Sequence, residues 1–96
     1  MKQIDYNMIE KIIKLAKNYG ATRLILFGSY LESPSTARDL DIACDGIEGW
    51  KLYEFAGRVE NELRILLDVI PLSPPNHFTR LIESKGKVLY DIRRTA

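Results

Sequence analysis

The chain has one cysteine, one histidine and no long apolar segment among its 96 residues. A single cysteine, Cys44, cannot form an internal disulfide bond, and we expect it to be a small buried residue of a protein in the reducing cytoplasm. Apolar residues make up 46% of the chain, yet no run approaches the roughly 18 residues that a membrane-spanning helix needs. The amino terminus also lacks the apolar core of a signal peptide. We therefore expect neither a disulfide-rich secreted domain nor a membrane protein.

An excess of charge of either sign is also missing, because the formal net charge is +1. Proteins that bind nucleic acid usually carry a marked basic excess, so we expect no direct contact with nucleic acid. The length suits one compact domain with its own apolar core. We expect this single domain to occupy residues 1–96.

Segments with the periodicity of helices and strands follow one another along the chain. Apolar residues recur every three or four positions in some segments, which predicts amphipathic helices, and form short runs in others, which predicts strands. The order is helix, strand, strand, helix, strand, helix and strand, over residues 5–19, 22–27, 39–45, 50–63, 65–70, 76–84 and 87–91. This order predicts a small α+β protein in which helices pack on a mixed four-stranded sheet.

Capping residues mark the ends of the first and third helices. Asp5 and Asn76 suit N-cap positions, and Gly20 and Gly86 suit the positions that end these helices. The first strand is apolar on both faces, so we expect it to be central in the sheet and covered on each side.

Several side chains are expected to pack inside the domain. Phe78, Leu81 and Ile82 should form the inward face of the third helix. Gly57 lies within the second helix, where glycine is about 1 kcal/mol less favourable than alanine, so we expect it to mark close packing against the sheet. The aromatic residues expected to pack in the core or between helices are Tyr30, Trp50 and Tyr53.

Two carboxylates lie two residues apart in the second strand. Side chains of a strand alternate between its faces, so Asp39 and Asp41 share one face. Like charges at this spacing repel one another unless a cation or a shared proton neutralises them, and Mg²⁺ is a cation that prefers oxygen ligands. We interpret the pair as half of a magnesium site. The alternative is a solvated feature of an edge strand.

A third carboxylate, Asp68, interrupts an otherwise apolar strand. An ionised carboxylate in a covered strand is costly unless it binds a metal or pairs with a basic residue of another element, and both alternatives are open. If this strand lies beside the second and Asp68 faces the same side, the three acids can bind two divalent ions about 3.5–4 Å apart.

Gly28 and Ser29 end the first strand. Glycine allows the backbone to come close to a phosphate, serine offers a hydroxyl, and successive N–H groups of a turn can bind an anion. We expect the pair to face a triphosphate, although Ser29 can also serve as a helix N-cap.

The combination resembles a known superfamily. Gly28 and Ser29, nine further residues, Asp39 and Asp41, and then an isolated Asp68 are similar to the pattern of the DNA polymerase beta nucleotidyltransferase superfamily. Small size and element order most resemble its minimal nucleotidyltransferases (MNT), which accompany HEPN-domain partners in toxin–antitoxin pairs. The resemblance implies a polymerase beta-like nucleotidyltransferase fold and covers nearly the whole chain.

The resemblance also implies roles and partners. Gly28 and Ser29 would hold the nucleotide phosphates, Asp39 and Asp41 would bind two Mg²⁺ ions, and Asp68 would complete the second metal site and help to deprotonate the acceptor. The reaction would transfer a nucleoside monophosphate, usually AMP from ATP, to a hydroxyl, and in antitoxins the acceptor is a tyrosine of the HEPN toxin. An assembly with that partner or with a second copy is expected. The alternative is a degenerate MNT-like module that neutralises its partner by occlusion alone.

Two positions depart from the family pattern. Many minimal enzymes carry an arginine shortly after Gly-Ser, whereas this chain has Glu32 in that region. The family's serine before the first aspartate is replaced by Arg38, which by strand alternation should point away from Asp39 and Asp41.

Overall fold

The computed structural model of the chain describes residues 4–34 and 39–94. Strands and helices follow one another in the predicted order within these residues, with a one-turn helix added after the first strand. The elements are α1 (Tyr6–Asn18), β1 (Arg23–Phe27), α2 (Ser29–Glu32), β2 (Asp39–Asp45), α3 (Gly49–Leu63), β3 (Leu66–Pro71), α4 (His77–Lys85), β4 (Lys87–Asp91) and a 3-10 turn (Ile92–Arg94). The predicted bounds are correct to within one residue.

The strands form one mixed sheet in the order β3-β2-β1-β4. β1 runs antiparallel to both β2 and β4, whereas β2 and β3 are parallel neighbours joined through α3. A parallel pair requires such a crossover connection, usually a helix. The predictions of a mixed four-stranded sheet and of a central first strand are confirmed.

One face of the sheet packs against α1 and α3. Ile12 and Phe55 from these helices meet Leu40 and Ile42 of β2, and all four side chains are fully buried. Cys44 lies in the same cluster, and burial raises the pKa of its thiol to about 12. The prediction that Cys44 is a small core residue is confirmed by its burial in this cluster.

The opposite face of the sheet is only partly covered. α4 covers it where Ile25, Ala43, Leu72 and Ile82 form a second, smaller cluster. Beyond this cluster Leu66 of β3 is 59% exposed, so part of the face is open to solvent.

The predicted helix caps are all present. The Asp5 carboxylate accepts a hydrogen bond from the Met8 backbone N–H at 2.9 Å, and Gly20 after α1 has a φ of 97°. Asn76 forms a capping box with Thr79, in which each side chain accepts a hydrogen bond from the other residue's backbone N–H. These bonds satisfy backbone groups that the first turn of a helix leaves without partners.

Gly86 permits a close approach that the sequence did not reveal. A Cβ atom at this position would lie 2.5 Å from Ile25 Cγ2 and 2.7 Å from the Ile82 carbonyl oxygen. Glycine therefore ends α4 and also lets the chain pass tightly over β1.

The predicted packing of α3 is partly wrong. Trp50 and Tyr53 are 67% and 76% exposed, because the inward stripe of the helix is filled by other residues, and Gly57 has no heavy atom within 4 Å of an added Cβ. Gly57 thus lies on the solvent side and marks no close contact. Tyr30 of α2 packs partly buried against the main core, as predicted.

The predicted inward face of α4 is also partly wrong. Ile82 is buried with Thr79, but Phe78 and Leu81 are 51% and 49% exposed. Each exposed residue directly precedes a buried one, so it lies about 100° further round the helix.

Of the helices in the described part of the chain, none has the length and apolar content that crossing a membrane requires.

Candidate active site

The three predicted acids lie on the open face of the sheet. In the parallel pairing of β2 with β3, Asp41 is the register partner of Asp68, and Asp39 lies two residues earlier in β2. Neighbouring residues in register project to the same face, as do residues two apart in one strand. The prediction that Asp68 shares a face with Asp39 and Asp41 is therefore confirmed by the register.

Asp41 is the half-buried centre of this group. Burial raises the pKa of its carboxyl group, and the negative charges of Asp68 and Asp39 raise it further. The Asp41 and Asp68 side chains are also close enough to share a hydrogen bond, while the Ser29 backbone N–H donates to Asp41 and lowers its pKa. The site thus concentrates negative charge around one partly desolvated carboxylate.

The Gly28-Ser29 turn lies directly against Asp41. Phe27, the last residue of β1, is the register partner of Asp41, so the turn begins beside that carboxylate. Gly28 has a φ of 82°, and a Cβ here would collide with Asp41 Oδ2. Gly28 is the N-cap residue of α2, so the alternative that Ser29 serves as the N-cap is wrong. Glycine is required here both by the backbone conformation and by the space.

Asp68 is not in a covered strand, contrary to our expectation. β3 is an edge strand, and Asp68 is exposed on its open side. The free-energy cost of burying its charge therefore does not arise. None of the ion pairs formed within the described ranges includes Asp39, Asp41 or Asp68, which leaves the cluster without a basic partner there.

The donor chemistry of the cluster fits a magnesium ion, because carboxylate oxygens without cationic partners are the ligands that Mg²⁺ prefers. As placed, however, no three His, Cys, Asp or Glu side chains among residues 4–34 and 39–94 form a group that could hold a metal ion. The Asp41 and Asp68 side chains are within hydrogen-bonding reach of one another, and the charge of Asp39 also acts on Asp41. Magnesium binding by all three acids thus stays a prediction.

A cleft of about 430 Å³ opens beside Gly28, between α2 and α4. Its walls include Phe27 and Phe78, whose rings meet edge to face with centroids 5.9 Å apart. The remaining lining residues are Gly28, Leu31, Glu32, Leu81, Ile82, Lys85 and Gly86. Sequence reasoning missed this cleft because it assigned Phe78 and Leu81 to the core. The available signal was that α4 has more apolar residues than its sheet-facing side can bury.

The two departures from the family pattern have different outcomes. Glu32 is exposed at the end of α2 and lines the cleft, so an acid does stand near the Gly28-Ser29 turn. Arg38 lies outside the described residues, and its expected orientation is untested.

No protein-family model and no curated protein matches the chain. Solved structures do match it in fold. The toxin–antitoxin complex MntA-HepT contains a chain 21% identical over 93% of this chain and 74% of that one, with a TM-score of 0.71. A tri-AMPylated HEPN toxin of Shewanella oneidensis in complex with MNT antitoxin gives 24% identity over 91% and 72%, with a TM-score of 0.71.

A toxin–antitoxin structure with AMP-PNP is similar to the same degree. The identity is 24%, the coverage is 86% of this chain and 73% of that one, and the TM-score is 0.73. Identities at this level establish a shared fold. The fold resemblance to the MNT proteins of toxin–antitoxin pairs that the sequence pattern predicted is confirmed.

Proposed function

We propose that this chain is an MNT-type minimal nucleotidyltransferase that acts in the cytoplasm as the antitoxin of a HEPN-domain toxin. It transfers AMP from ATP to a tyrosine hydroxyl of that partner. The observation that carries the proposal is the register of β2 with β3, which sets Asp68 beside Asp41, while Asp41 itself lies against the Gly28-Ser29 turn. Two similar structures support it, since one holds an AMPylated HEPN toxin and another holds AMP-PNP.

The three acids share metal binding but differ in their other roles. Asp39, Asp41 and Asp68 would hold two Mg²⁺ ions, which neutralise phosphate charge and polarise the reacting oxygens. Asp41 is partly desolvated and held by the Ser29 N–H, so its carboxylate has a fixed orientation. Asp68 is exposed on an edge strand, where the side chain of a partner protein can reach it.

The transfer is an in-line displacement at the α-phosphorus of ATP. The tyrosine oxygen forms a bond to that phosphorus, the bond to the bridging oxygen breaks, and pyrophosphate leaves. The hydroxyl proton goes to the Asp68 carboxylate, which acts as the general base. Gly28 has no side chain to obstruct the approach of the phosphates to Asp41.

A transfer assay tests this function. The protein, magnesium, ATP labelled at the α-phosphate and the HEPN protein encoded beside it are incubated together. We expect label on the partner, and we expect the double variant Asp39→Ala and Asp41→Ala to abolish it. Glu54→Ala, which removes an exposed acid of α3, is the matched control and should transfer normally. Failure of the intact protein with several nucleotides and divalent ions would contradict the proposal.

A second candidate is a degenerate module that neutralises its partner by occlusion. It is favoured by Glu32, which places an acid in the cleft beside Gly28 where the family pattern expects a cation. In cells that express the toxin, this candidate predicts full protection by the double alanine variant. If the wild-type protein protects the cells and the double alanine variant does not, this candidate is excluded.

A further inference from the structure

The cleft between α2 and α4 contains a basic side chain that the proposed mechanism has not used. Lys85, in the last turn of α4, lines this cleft together with Gly28 and Glu32. Among the described residues that line it, Lys85 is the one cation. It takes part in none of the ion pairs formed within the described ranges, so its ammonium group has no carboxylate within 4.0 Å there.

The charge around the cleft favours such a cation for binding a triphosphate, in addition to the two Mg²⁺ ions of the proposed mechanism. Asp41 and Asp68 lie on one side of Gly28, and Glu32 stands on the cleft wall. A nucleoside triphosphate is itself highly anionic, so it is repelled by this surface unless positive groups contact its phosphates. Hydrogen bonds from an ammonium group to phosphate oxygens are charge-assisted and about twice as strong as neutral ones.

The rest of the cleft suits the other end of a nucleotide. Phe78 and Leu81 line it and are each about half exposed, and the Phe78 ring stands nearly perpendicular to that of Phe27. Aromatic faces stack with nucleobases, and exposed apolar walls gain free energy when a planar ring covers them. One cleft thus offers an apolar wall and a cation on the same side of Gly28.

We infer that the α2–α4 cleft binds the nucleoside triphosphate, with the base against Phe78 and the phosphates contacted by Lys85. The inference rests on the proposed function and names the positive group that stands in for the arginine expected near Gly28-Ser29. Lys85 is also placed to complement the carboxyl end of α4. A purely structural role of that kind predicts no change in nucleotide affinity.

Calorimetry tests the inference with two probes, a nonhydrolysable ATP analogue and inorganic tripolyphosphate, each with magnesium. Lys85→Ala should weaken the binding of both about tenfold, the loss expected for one charge-assisted hydrogen bond, and Lys85→Arg should restore it. Phe78→Ala should weaken the binding of the ATP analogue and leave tripolyphosphate unchanged. Lys87→Ala is the matched control, because Lys87 lines a separate cavity beside α1 and should be neutral.

The outcomes separate the inference from the proposed function when the AMP-transfer assay is run on the same proteins. Wild-type affinity in Lys85→Ala overturns the inference, whether or not AMP is transferred. Unchanged affinity of Phe78→Ala for the ATP analogue overturns the placement of the base. Binding that depends on Lys85 without any transfer supports the inference and contradicts the enzymatic function. If the wild type binds neither probe, both are overturned.

Discussion

At the residue scale, the site is controlled by the environment of one carboxylate. Asp41 is half-buried, faces two other acids and receives one backbone N–H, and the balance of these effects raises its pKa. The sequence predicted the three acids and the Gly28-Ser29 turn. It did not predict that Gly28 would lie against Asp41, because the register between β1 and β2 depends on the whole sheet rather than on local residues.

Replacing Asp41 should stabilise the fold at neutral pH. Its folded-state pKa lies above the ordinary aspartate value of 3.8, so the folded state favours the protonated carboxyl group. That stability is full below about pH 3.8 and is lost as the pH rises through the folded-state pKa. Asp41→Asn removes the unfavourable charge and should raise the free energy of unfolding at pH 7 by up to about 1 kcal/mol, the range for solvent-screened charges.

Urea unfolding at pH 7 and pH 3 measures this effect. The gain should be present at pH 7 and small at pH 3, where the wild-type carboxyl group is largely protonated. An equal gain at both values, or a less stable variant at pH 7, would show that charge repulsion does not dominate at Asp41. Glu54→Gln on the exposed face of α3 should change little at either pH.

Alanine substitutions at Gly28 and Gly57 test whether Gly28 specifically requires a glycine. Gly28→Ala forces an alanine into a φ of 82° and a collision with the Asp41 carboxylate, so it should lower the free energy of unfolding by about 1–3 kcal/mol. Gly57→Ala lies in open space in a helix and should raise it by about 0.5–1 kcal/mol. Thermal and urea unfolding of the two variants should shift in opposite directions. A neutral Gly28→Ala would mean that the turn can relax away from Asp41.

At the element scale, the sequence predicted the type and order of the strands and main helices. It did not predict that β3 lies at the edge of the sheet or which face of α4 is buried. β3 reads as a covered strand because Leu66, Leu67 and Val69 are all apolar, yet it is an edge strand with Leu66 exposed. Periodicity cannot distinguish a central strand from an edge strand, because that depends on strand order. In α4, apolar residues at neighbouring positions, such as Leu81 and Ile82, left the inward face ambiguous.

The contact between the end of α4 and β1 should be sensitive to one added methyl group. Gly86→Ala places a Cβ within 2.5 Å of Ile25 Cγ2 and within 3 Å of two carbonyl oxygens. Backbone atoms cannot move aside as a flexible side chain can, so we expect a loss of about 1–3 kcal/mol in the free energy of unfolding. Denaturant unfolding checks this value. Stability equal to the wild type would show that α4 can shift, and the shape of the α2–α4 cleft would then also be adjustable.

At the scale of the whole molecule, the sheet has its main apolar core on one face and the candidate active site on the other. α1 and α3 bury the main core on one face, while α4 covers only part of the other and leaves the acids of β2 and β3 accessible. The net charge of +1 does not reveal this local concentration of negative charge, because it arises only when β2 and β3 pair in the folded sheet. The likeness in fold to MNT structures follows from the same arrangement.

The most direct test of the account is the mass of the tyrosine-containing peptides of the HEPN partner after incubation with magnesium and ATP. The account predicts tyrosine–AMP adducts with the wild-type chain and a loss of about hundredfold or more in their rate of formation with Asp68→Asn, since in the proposed mechanism Asp68 accepts the hydroxyl proton. Asp68 is exposed, so this variant should keep its fold, which circular dichroism can verify. Adduct formation by a folded Asp68→Asn variant at the wild-type rate would contradict the account.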